Sequence, residues 1–175
     1  MESKALDAFS RVQKIDFGPI CFKLANDKDG ENWIDEDIER AQLLYTCYLA
    51  LILAYRDQPI VLAPPVLADR FWHQHILDTR KYMKDCDKLF GEYLHHFPYF
   101  GMRGEEDAQQ LQISGNITRK LMLAHFGEIP QCKLLFDEMD ISAFSKCGES
   151  CSSCSRCRFV FHSDANLIAI EDARA

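Results

Sequence analysis

From Asp35 to Tyr55 the chain repeats apolar residues at three- and four-residue spacing, through Ile38, Ala41, Leu44 and Tyr48. Its second half, Leu43 to Tyr55, is the longest apolar stretch in the protein. That stretch falls well short of the ~20 residues a membrane-spanning helix needs, so a buried helix is expected. Arg56-Asp57-Gln58-Pro59 ends it.

Other helices follow by the same reasoning. Residues 3–14 fit a short helix, and residues 15–34 read as irregular, with a loop through Asn26-Asp27-Lys28-Asp29-Gly30-Glu31-Asn32. Pro64-Pro65 opens a second long helix, because proline is tolerated in a first turn where its missing N–H is not needed. This helix is expected from about Val66 to Leu89, with a stop at Gly91. Residues 104–126 predict a third, acidic in its first turn as the helix dipole favours, ending at Gly127. A short helix over Lys133 to Phe144 leads into the tail. The expected fold is mainly α: a compact helical domain over 1–130, with three long helices plus short ones, and a Cys-rich appendage over 131–175. Phe159–His162 and Leu167–Ile170 could form a small β-hairpin in that appendage.

The totals narrow the function. With 175 residues, 47% of them hydrophobic and 27% charged, the chain is long enough to bury a core. Net charge is −7 and no Lys/Arg cluster stands out, so neither nucleic acid nor an anionic membrane is expected as a partner. The first residues lack the apolar core of a signal peptide, so a cytoplasmic, reducing location is expected. There, clustered cysteines are more often metal ligands or redox thiols than disulfides.

Chemistry concentrates in the run Phe71-Trp72-His73-Gln74-His75-Ile76-Leu77-Asp78 and in the pair His95-His96. Helical residues turn by ~100° each, so His73 and His75 project roughly 200° apart and cannot easily share one metal. His73 has Asp69 at i−4, where a carboxylate can orient an imidazole or join it on a metal. His75 shares a face with Asp78, Thr79, Tyr82 and Cys86. Of His95 and His96, adjacent and pointing apart, one is expected to face the helix that bears His75. Imidazoles plus a carboxylate suit a transition metal, with zinc or iron foremost. The competing reading is a hydrogen-bonded structural cluster. His125 and His162 read as ordinary core or surface residues, and Phe97-Pro98-Tyr99-Phe100 as core packing.

The stretch from Phe71 to Tyr82, then Asp85-Cys86, then Leu94 to Asp107, resembles bacterial proteins of the glycine-rich domain-containing protein-like family. Plant glycine-rich domain proteins are similar over the shorter element Asp69 to His75. The resemblance places His73, His75, His95 and His96 at signature positions and implies no activity. With only 8 Gly, the chain carries no glycine-rich domain of its own.

In the tail, Cys147, Cys151, Cys154 and Cys157 read C-x₃-C-x₂-C-x₂-C. The last three match a ferredoxin-type run, with Cys147 or Cys132 available as a fourth thiolate for an Fe–S cluster, although no proline follows Cys157. A Cys₄ zinc site competes, as do thiol redox chemistry and a tail of free thiols. Cys21, Cys47 and Cys86 read as small buried hydrophobes.

Three functions follow. One is a metalloenzyme, with a site of His75, Asp78 and one of His95/His96, His73 oriented by Asp69, and Tyr82 or Tyr99 as proton donor. The second is a non-catalytic metal- or redox-sensing module whose tail carries the function. The third is an interaction protein without a metal. The partner, a small molecule or a protein, is left open.

Overall fold

The computed structural model describes residues 2–26, 33–137 and 158–159. Seven α-helices are found among these residues, so the expected mainly α class holds. Their centre is α3, Asp35–Tyr55, whose residues Leu44 to Leu53 are all buried. Burial around the whole circumference requires a helix without a polar face, which is what its second half supplies. Its acidic first turn, Asp35, Glu36 and Asp37, suits the positive end of the helix dipole. No helix among the described residues is long and apolar enough to cross a membrane.

Four helices pack on α3: α1 (Glu2–Val12), α2 (Gly18–Ala25), α4 (Val66–Leu77) and α6 (Glu105–Phe126). Helix α2 occupies part of the region read as irregular. Pro19 sits in its first turn and Ile20 and Leu24 are buried, so tertiary packing makes a helix of a segment too short to signal one by periodicity. The last helix, α7 (Pro130–Asp137), packs on α6 and starts three residues before the expected position. Its Cys132 is fully buried, with Sγ 3.8 Å from Sγ of Cys47 on α3. Cys47 and Cys86 are buried as expected, whereas Cys21 is half-buried and hydrogen-bonded to Gln42.

The helix expected from Val66 to Leu89 is two helices. Helix α4 ends at Leu77 and α5 (Thr79–Phe90) begins directly after Asp78. Asp78 leaves helical geometry at φ −80°, ψ 71°. Its N–H closes α4 on the Gln74 carbonyl, and its Oδ1 accepts the Lys81 N–H at 3.3 Å, capping α5. At the far end Gly91 takes the left-handed conformation, φ 74°, and stops α5 where the sequence placed the stop.

Beyond Gly91 the chain turns back along α4. Its two-residue strand β1, His96–Phe97, pairs antiparallel with β2, Arg158–Phe159, placing His96 opposite Phe159. Phe100 is buried with Ala63 and Leu111 in a small second core against which Phe97 packs, so these two residues of the aromatic run are packing as expected, whereas Tyr99 is exposed. The tail cysteines Cys147, Cys151, Cys154 and Cys157, His162, the expected hairpin strands apart from Phe159 (which pairs with β1), and most of the segment 131–175 lie outside the described residues.

Candidate metal centre

Helix α4 carries Asp69 and His73 one turn apart, and β1 brings His96 across to meet them. Nε2 of His73 and Nε2 of His96 are 3.0 Å apart. Oδ1 of Asp69 is 3.3 Å from Nε2 of His96, and Oδ2 is 3.6 Å from Nε2 of His73. Among the described residues, these three side chains form a group of imidazole and carboxylate ligand atoms close enough to hold one metal ion.

The spacing has a simple test. Around an ion bonded at about 2.1 Å, neighbouring ligand atoms lie about 3.0 Å apart in an octahedron and about 3.4 Å apart in a tetrahedron. The observed 3.0, 3.3 and 3.6 Å bracket those edges. Two imidazole nitrogens at 3.0 Å must have something positive between them, either a shared proton or a cation, because their lone pairs repel. One N–H on His96 can serve both His73 and Asp69, and a metal would replace that proton.

Burial favours the neutral form of His73. Desolvation lowers its pKa and the neighbouring His96 adds to this, against the opposing pull of Asp69. A neutral imidazole is the form that ligates. Access is from the His73 side, whose side chain is 27% exposed, against 10% for His96 and 9% for Asp69.

His75 is placed otherwise, with its side chain 2% exposed. Its Nδ1 is 3.0 Å from the Tyr45 hydroxyl on α3, and its Nε2 is 3.0 Å from Oδ2 of Asp85 on α5. Since the carboxylate can only accept, Nε2–H donates to Asp85 and Nδ1 accepts from Tyr45. Lys81 Nζ donates to the same Asp85 oxygen at 2.6 Å. Burial pushes the His75 pKa down to about 4, with the Asp85 hydrogen bond opposing the shift. Both ring nitrogens are thus engaged in tying α4 to α3 and α5.

The expected set of His75, Asp78 and His95 or His96 is therefore not brought together. His75 is inside that network, Asp78 caps α5, and His95 is exposed beside Tyr93, with ring centroids 4.9 Å apart. His96 is the member of its pair that faces α4, and it meets His73 rather than His75. Asp69, read mainly as a residue orienting His73, stands at ligand distance from both imidazoles. Tyr82 is 1% exposed, and burial raises its pKa far above that of a free phenol, so it is no exposed proton donor. Tyr99 lies at the surface, 58% exposed.

A family model described as UCP032817-like matches residues 21–116, more than half of the chain. The chain belongs to the UCP032817-like family. This corrects the resemblance to the glycine-rich domain-containing proteins, because the stretch that carried it lies within the UCP032817-like match. No curated protein and no solved structure matches the chain. Asp69, His73 and His96 all fall inside the matched residues of this UCP032817-like chain. The family description carries no activity, so function has to be argued from these side chains.

Two things escaped the sequence. Asp85 was named only within the resemblance and given no role, although its i,i+4 relation to Lys81 was visible. That His75 is closed to a metal depends on Tyr45, thirty residues away, and no local pattern signals it.

Proposed function

We propose that this protein binds one divalent transition-metal ion through Asp69, His73 and His96. The observation that carries the reading is the convergence of two imidazole nitrogens 3.0 Å apart with a carboxylate facing both. Two imidazoles and one carboxylate suit zinc or ferrous iron. Three protein ligands leave at least one coordination position for water or a small molecule. That is the make-up of catalytic zinc and iron sites, whereas structural zinc sites are closed by four protein ligands. Such an ion would activate a bound water or polarise a bound carbonyl or phosphoryl oxygen, entering from the exposed side of His73.

Elemental analysis of protein purified without a histidine tag tests this. About one equivalent of metal per chain is expected, lost in His73→Ala and in His96→Ala. The metal is expected to stay when Cys147, Cys151, Cys154 and Cys157 are all changed to Ser. Metal that leaves with the cysteines and stays with the histidine variants would overturn the proposal.

A further inference from the structure

His96 comes from a short strand rather than a helix, so nothing in its own element fixes where its ring points. Two buried side chains supply that constraint. The Trp72 indole, fully buried on α4, meets the His96 ring edge to face, with centroids 4.6 Å apart. Trp72 Nε1–H donates to the Tyr82 hydroxyl at 2.8 Å, and that hydroxyl donates to the Leu94 carbonyl at 2.6 Å. Leu94 is two residues before His96. One hydroxyl, on α5, thus holds both the wall against which the His96 ring rests and the backbone that delivers it.

Resting on the metal reading above, we infer that Tyr82 is a positioning residue for the metal centre, acting on His96 through Trp72 and through the Leu94 carbonyl. Tyr82 makes no hydrogen bond to any of the three ligands; its hydroxyl is engaged by Trp72 and Leu94, with the Cys86 thiol as a further neighbour in hydrogen-bond contact. Groups that orient ligands in this way typically change metal affinity 10- to 100-fold when removed. The hydroxyl is the part that matters, because the Tyr82 ring also packs edge-on against His75 (4.9 Å) and Tyr93 (5.2 Å), and a phenylalanine keeps those contacts.

The test is Co²⁺ titration of the full chain, following ligand-field absorption, in the parent, Tyr82→Phe, Trp72→Phe, Tyr55→Phe and His73→Ala. Tyr55→Phe is the control: it removes a hydroxyl bonded to His125 at 2.7 Å, joining α3 to α6. Tyr82→Phe is expected to bind Co²⁺ about tenfold more weakly with an altered spectrum, and Tyr55→Phe to match the parent in both. Should Tyr82→Phe fail to fold, Trp72→Phe, which loses the N–H but keeps an aromatic wall, is expected to show the same direction. Parent-like affinity and spectrum in the folded variant, or equal weakening in Tyr55→Phe, would overturn the positioning role while leaving the metal reading intact. If the parent itself takes up no Co²⁺, or His73→Ala takes it up equally well, the metal reading falls and the positioning role with it.

Discussion

His73 and His75 lie two residues apart on one helix and sit in opposite chemical settings. His75 is enclosed, both nitrogens spent on Tyr45 and Asp85, and its ring ties three helices together. His73 faces a second imidazole and a carboxylate across a gap of 3.0 to 3.6 Å, with one side open to solvent. The number of histidines in a motif therefore says little about ligation. What matters is whether each ring nitrogen meets a donor and an acceptor of the fold or another atom that also needs a positive charge. The competing expectation, a hydrogen-bonded structural histidine, describes His75, while the metal proposal rests on His73.

Removing the enclosed histidine is the strongest challenge to that contrast. His75→Ala leaves a buried cavity and strips partners from Tyr45 and Asp85. Urea denaturation in the presence of a chelator is expected to show a loss of about 4 kcal/mol. The same measurement on His73→Ala, whose ring is partly exposed, is expected to change by less than about 1 kcal/mol. Equal losses would erase the distinction.

Acid separates the two next. The folded His75 pKa, at about 4, lies below the ordinary 6.5, so the unfolded chain binds the extra proton first as pH falls. Its contribution is complete above about pH 6.5, is lost between there and about pH 4, and changes no further below that. The integrated loss is about 3 kcal/mol at most. It is read as the difference between parent and His75→Gln stability curves over that window, and parallel curves would argue against a neutral buried imidazole.

A smaller effect is expected at the joint between the helices. Asp78→Ala removes the α5 cap and should cost about 1 kcal/mol in thermal or urea unfolding, with metal stoichiometry unchanged. Loss of metal in that variant would restore Asp78 as a ligand.

Much of this architecture was legible in order along the chain. The apolar run of α3, the Gly91 stop and the acidic start of α6 each follow from local rules, and the helices stand where those rules put them. The break at Asp78 was not, because no proline or glycine marks it; the residue acts as both the end of one helix and the cap of the next. At the site, the Asp69–His73 pair was readable from i,i+4 spacing, and the facing histidine was narrowed to His95 or His96. Choosing His96, and setting His75 apart, required knowing that Tyr45 and Asp85 close over one face of α4. Those are long-range contacts, set by helix packing rather than by spacing.

The central claim is that a metal ion entering this protein is held by His73 and His96 and passes His75 by. Long-range ¹H–¹⁵N spectra of the imidazole rings, recorded on the full chain as Zn²⁺ is added, test it directly. Nε2 of His73 and Nε2 of His96 are expected to shift together and saturate at one equivalent, while both nitrogens of His75 stay where they were. Movement of the His75 nitrogens with the metal, or saturation with His73 and His96 unmoved, would contradict it.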